Sequence, residues 1–218
     1  MATMAMTLRV VVPPHPLIGH WLSVLRDRRT PAPLYGTATA ELGRWLTYEA
    51  LRDWLPHRPV SVETDLACCE GQVVDVSVPI LAIPLCPEGL GLWDGAKAVL
   101  PAARVQHLHC GQALPLASID SRSGVLVFAA EVGIDGELDA LLAALRERGV
   151  SGPRLRVITA LAASPGLKRL GETFADLTLY TACIDPELSA DGCISPGIGQ
   201  VSERLFGACL ADMAATTA

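Results

Sequence analysis

Between residues 79 and 184, short apolar runs rich in β-branched residues alternate with stretches of helical periodicity. This alternation restricts the possible folds more than any other feature of the chain. Residues 79–85, 104–109, 124–130, 155–162 and 177–184 read as strands. Residues 90–100, 136–148 and 165–172 read as helices between them. Gly149 stops the second helix and Pro165 sits in the first turn of the third. Strands this apolar need cover on both faces, so the pattern predicts an α/β fold: a parallel sheet flanked by helices.

The ends of the chain add smaller pieces. Residues 17–28 and 41–55 carry helical periodicity, with Thr30-Pro31-Ala32-Pro33 read as a loop between them. Residues 60–63 and 73–78 read as a small β-arm, with Glu70-Gly71 as its turn. A glycine-rich stretch, Ile194-Ser195-Pro196-Gly197-Ile198-Gly199, precedes a short helix from Val201. No linker or repeat interrupts the chain, so residues 1–218 are expected to form one domain.

Composition narrows the function classes. Half the residues are apolar and the formal net charge is −6, which excludes a disordered chain. Only 18% are charged, and acids outnumber bases 23 to 17, so electrostatic nucleic-acid binding is not expected. So low a charge density suggests a surface partly covered by a partner, either a second copy in a homodimer or another protein in a hetero-assembly. Trp21, Trp45, Trp54 and Trp93 read as core or dimer anchors. The first residues lack a secretory pattern and no apolar run is long enough to span a bilayer, so a cytoplasmic protein without a membrane span is expected. Seven cysteines (68, 69, 86, 110, 183, 193 and 209) form no CxxC pair and are expected to be reduced. His107 and His109 would share a strand face, as a metal pair or as an ordinary strand rim. The lack of a second ligand cluster favours the rim, and no metal site is assigned.

Six short segments, in order along residues 8–208, resemble the uracil phosphoribosyltransferase family. They are His15-Pro16-Leu17, Leu46-Thr47-Tyr48-Glu49-Ala50, the segment from Gly89-Leu90-Gly91 to Trp93-Asp94-Gly95, the segment from Leu179-Tyr180-Thr181 to Ile184-Asp185, Pro196-Gly197-Ile198-Gly199, and Arg204-Leu205-Phe206-Gly207. The resemblance implies a type I phosphoribosyltransferase fold with a small hood. It also implies a reaction in which uracil and phosphoribosyl diphosphate give UMP and diphosphate with Mg²⁺ assisting, and a dimeric assembly.

Set against the family pattern, the phosphoribosyl diphosphate site departs in several places. The phosphate-loop equivalent is Ala129-Ala130-Glu131-Val132-Gly133-Ile134-Asp135-Gly136-Glu137. Ala129 stands where the resemblance places an Asp for the ribose hydroxyls, and Glu137 where it places a hydroxyl residue. Asp135 and Glu137 read as acids capping the next helix. Pro87, followed by Glu88, stands where the family has an Arg for the diphosphate, and Gly36 replaces another Arg. The flap shortens to residues 110–115 with no basic residue, while Arg26 matches a basic position of the family. By resemblance the uracil-loop equivalent is Ile194, Gly197 and Gly199, with Cys193 in place of an aromatic residue and Gln200 in place of an Asp.

The expectation is a family member with degenerate catalysis (Ala129, Pro87 and Gln200 mark the lost positions) that serves as a regulatory, ligand-sensing or partner-binding subunit for a nucleobase or nucleotide. The alternative is an active uracil phosphoribosyltransferase of pyrimidine salvage, using Mg²⁺. A further alternative is new chemistry at a cation held by Glu88, Glu131, Asp135, Glu137 and Asp185.

Overall fold

Successive residues of a strand point to opposite faces, and here each face of the central sheet carries its own core. The computed structural model describes residues 7–100, 102–109, 111–112, 114, 119–134 and 136–207. Strand β1 (Arg9–Val11) leads into helices α1 (Pro16–Arg26) and α2 (Ala32–Leu51). Strands β2 (His57–Glu63) and β3 (Cys68–Val74) form an antiparallel arm. Then come β4 (Ile80–Cys86), α3 (Gly89–Ala96), β5 (Arg104–Val105), β6 (Leu108–His109), β7 (Gly124–Val132) and α4 (Glu137–Glu147). The chain continues through β8 (Leu155–Ala163), α5 (Ser164–Thr173), β9 (Thr178–Thr181) and β10 (Ile184–Asp185). It closes with β11 (Glu187–Leu188), β12 (Ile194–Ser195) and α6 (Val201–Phe206).

The sheet order is β1-β9-β8-β7-β4-β5, with β6 beside β4 and β10 beside β8; every pairing in it is parallel. Ala82, Leu126, Phe128, Ile158 and Ala160 face one core, closed by Leu22 of α1, Leu42 and Leu46 of α2 and Leu92 of α3. The intervening residues Ile83, Val125, Val127 and Val157 face the other, closed by Leu138, Leu142 and Leu145 of α4 and Leu170 of α5. Period-two alternation thus assigns neighbouring residues of one apolar run to separate cores.

Three sequence expectations need correction. Helix α2 begins at Ala32, nine residues earlier than read, because Pro33 falls in its first turn, where a missing N–H breaks no helical bond. The arm turns at Thr64–Ala67, where the Thr64 hydroxyl donates to the Ala67 carbonyl (2.7 Å). Glu70 and Gly71 lie within β3, opposite Ser61 and Val60. A Cβ on Gly71 would come within 2.8 Å of Val62, so this glycine serves close approach rather than a turn. Residues 104–109 form two short strands, with His107 outside both. Strand β1 is a short piece of the run Arg9-Val10-Val11-Val12 and pairs in parallel with β9.

Tertiary contacts explain the α1 start as well. His15 caps the helix, its Nδ1 accepting from the Leu17 N–H (3.2 Å), and its ring stacks on Trp45 at 5.4 Å. No helix among the described residues is long and apolar enough to cross a membrane.

Candidate active site

Strand order reverses between β4 and β7: from β4 the chain moves outward to β5, then returns to β7 on the opposite side. Such a switch point opens a crevice at the carboxyl ends of the strands. Here it is a cleft of about 220 Å³ lined by Glu88 after β4, Ala129, Ala130 and Glu131 of β7, Glu137 opening α4, and Gln200 before α6. A second cleft of about 500 Å³ shares Glu131 and Gln200 and runs past Gly133 and Ile134 to Cys193, Ile194 and Gly199.

The two clefts hold most of the residues singled out in the sequence. Ala129 and Ala130 are buried on β7, one toward each core, and their methyl groups offer nothing to a ribose hydroxyl. Gly136 is the N-cap of α4, with φ +82°, and makes no side-chain cap; Glu137 is an acid of the first turn rather than a capping residue. Asp135 lies outside the described residues, as do Cys110 and Cys209. Pro87 is exposed, after the cis Cys86–Pro87 peptide, and the first cleft is lined by its neighbour Glu88. Gln200 reaches Cys193, with Nε2 at 3.8 Å from Sγ, across the seam of the two clefts.

Asp185 does not join the other acids. It is buried behind the 194–199 loop and accepts from Arg26 at 2.6 and 3.0 Å. The Gly197 N–H donates to it at 2.9 Å. Burial pushes its carboxyl up, but bonds from Arg26 and the Gly197 amide, with the Arg26 charge, outweigh burial and hold the pKa below the ordinary carboxylate value. Gly197 is likewise turned away from the cavity, its carbonyl accepting from Arg26 at 3.0 Å. Of the three uracil-loop equivalents, Ile194 and Gly199 line the second cleft.

The next peptide is held by residues the sequence reading gave no such role. The Ile198 carbonyl accepts from the Tyr35 hydroxyl (3.3 Å) and from Arg204 (3.0 Å). The Arg204 guanidinium stacks on the Tyr35 ring at 4.1 Å, and burial raises the Tyr35 pKa so that it stays a neutral donor. Arg204 falls within one of the resemblance segments; Tyr35 carried no signal, because only the fold brings α2 beneath this loop.

Glu88, Glu131 and Glu137 put three carboxylates on the first cleft, and its described lining contains no Lys or Arg. Two unit charges 4 Å apart at an effective dielectric of 20 repel by about 4 kcal/mol, the cost a phosphate oxygen would meet at that distance from an unscreened carboxylate. Among the described residues no three His, Cys, Asp or Glu side chains converge to hold a metal ion. Glu88, Glu131, Glu137, Asp185, His107 and His109 thus belong to no such group among the described residues.

A parallel sheet in this order, with its cleft at the switch point and a glycine-proline loop facing it, defines a domain of the type I phosphoribosyltransferase fold. The solved structure of the AQ2163 protein from Aquifex aeolicus shares it, with a TM-score of 0.79 and 27% identity over 92% of this chain and 99% of that one. The chain belongs to the uracil phosphoribosyltransferase family, whose model, described as Uracil phosphoribosyltransferase, matches residues 12–208. The protein named uracil phosphoribosyltransferase in Synechococcus elongatus is 44% identical over 217 residues, covering 94% of this chain and 99% of the relative. The chloroplastic protein of that name in Arabidopsis thaliana is 38% identical, covering 91% and 71%.

Proposed function

We propose that this protein binds a uracil-class nucleobase at the 194–199 loop without carrying out phosphoribosyl transfer, and so acts as a ligand-sensing or regulatory member of its family. One observation carries this reading. The cleft at the switch point, where a phosphoribosyl group would lie, is lined by Glu88, Glu131 and Glu137 and by no cation among its described residues. A diphosphate carries several negative charges, which carboxylates in the same cleft repel, and donors such as Arg hold it best. On the base side, Ile194, Pro196 and Gly199 line a cleft, and Gly197 and Ile198 between them are held from behind. Backbone groups lining such a cleft read a nucleobase edge by hydrogen bonds and need no catalytic side chain.

The second reading is an active uracil phosphoribosyltransferase that makes UMP and diphosphate, with Mg²⁺ arriving together with the diphosphate. The names of the relatives favour it. Proteins called uracil phosphoribosyltransferase match this chain over more than nine-tenths of its length, at up to 44% identity. Both readings share the nucleobase loop and differ only at the acidic cleft.

Calorimetric titration with uracil, paired with a UMP-formation assay at millimolar uracil, phosphoribosyl diphosphate and Mg²⁺, separates them. The expected outcome is a uracil isotherm with no UMP above a heat-killed control. UMP above that control would establish the transferase, and the absence of a uracil isotherm would remove the nucleobase reading.

A further inference from the structure

The 194–199 loop is gripped at two consecutive residues, Gly197 and Ile198, by four side chains from three helices and β10. The Gly197 N–H goes to Asp185 (2.9 Å) and its C=O to Arg26 (3.0 Å), while Arg26 and Asp185 are themselves joined by two bonds at 2.6 and 3.0 Å. The Ile198 C=O takes Arg204 (3.0 Å) and the Tyr35 hydroxyl (3.3 Å). Arg204 is anchored in turn by the carbonyls of Leu25, Asp27 and Thr30. None of the four side chains lines the cavity. The backbone they hold is one that does not stiffen by itself: Gly197 and Gly199 have φ of +66° and +79°.

We propose that Arg26, Asp185, Tyr35 and Arg204 are positioning residues that fix the nucleobase loop in its binding shape before any ligand arrives. The inference rests on the nucleobase reading above and adds to it where the affinity comes from. Left free, a loop with two glycines would have to be ordered by the ligand, and that cost would be taken from binding. With both carbonyls and one amide already engaged from behind, the groups at Ile194, Pro196 and Gly199 face the cavity from a fixed frame. Arg26 holds three acceptor atoms with one planar fork, a geometry that a lysine ammonium does not reproduce although it keeps the charge.

The test uses the full chain as wild type, Arg26→Lys and Asp185→Asn, with Arg156→Lys as a control. Arg156 is a buried arginine that binds Asp53 and the Tyr180 hydroxyl, away from the loop. Amide hydrogen exchange at Gly197 is read by NMR without ligand, and uracil affinity by calorimetry. The Gly197 amide should be protected in ligand-free wild type and exchange about tenfold or more faster in Arg26→Lys and Asp185→Asn. Uracil Kd should rise about tenfold or more in both variants. Arg156→Lys should lower Tm and leave uracil Kd unchanged. An unprotected Gly197 amide in wild type overturns the proposal whatever the ligand. It is also overturned if Arg26→Lys binds uracil like wild type, or if the control weakens binding in proportion to its loss of Tm. A wild type with a protected loop but no uracil binding instead overturns the nucleobase reading, and with it the role assigned here. Arg26→Lys keeps the charge beside Asp185, so the test survives if Asp185→Asn does not fold.

Discussion

Two carboxylate positions near the clefts, Asp185 and Glu137, differ in what surrounds them. Asp185 is almost fully buried, faced by Arg26, the Gly197 amide and the Cys183 thiol. Its folded pKa lies below the unfolded value, so its contribution to stability is complete above the ordinary carboxylate pKa of 3.8 and is lost as pH falls through the folded value. Urea unfolding of wild type and Asp185→Asn should therefore differ most near neutral pH. The gap should narrow as the pH drops below about 4; a constant gap would show that the ion pair contributes nothing. Glu137, by contrast, opens α4, where free N–H groups and the helix dipole would otherwise attract an anion. In Glu88→Gln/Glu137→Ser, inorganic phosphate should raise Tm by several degrees while leaving wild type unmoved. In a domain of this size, about 2–4 °C corresponds to 1 kcal/mol. Equal responses would mean that the carboxylates are not what keeps phosphate out. The acids were legible in the sequence because they interrupt an apolar pattern. That Asp185 belongs behind the loop rather than with Glu88 and Glu137 was not, because its partners lie 159 and 12 residues away.

Among the elements, α2 and α3 cross with backbone against backbone. A Cβ added at Gly95 would lie 1.6 Å from the Ala40 carbonyl oxygen, and one at Gly43 would lie 1.9 Å from that of Leu92. The two helices touch backbone to backbone, so no side chain can move aside to relieve the clash. Gly95→Ala is expected to destabilise the chain by about 1–3 kcal/mol through overpacking, measured as a lower urea midpoint. It should also perturb the loop carrying Glu88, which enters α3 at its first turn. A midpoint within error of wild type would show that the crossing yields more easily than its geometry implies. Strand-helix alternation is visible in the sequence because burial imposes periods of 2 and 3.6. The start of α2 and the turn of the arm are not, because proline and glycine signal breaks even where one fits a helix's first turn and the other a crowded strand.

For the molecule as a whole, low charge density goes with two kinds of surface. The arm leaves Val62 and Val73 about 40% exposed on the face they share with Val60, an apolar strip outside both cores. The clefts gather acids, and their described linings contain no Lys or Arg. Sequence alone determined the parallel α/β class, the family and the identities of Ala129, Pro87, Glu137 and Gln200, since periodicity and residue identity are local properties. Only the tertiary structure decided which of those residues share a cleft, that Arg26 and Asp185 stand behind the 194–199 loop and hold Gly197, and that Tyr35 and Arg204 hold Ile198. The bonds of Arg26, Tyr35 and Arg204 at this loop include contacts between segments more than 150 residues apart, joining α1, α2 and α6 at one end of the sheet. Sequence spacing does not encode which distant backbone carbonyl a guanidinium will find.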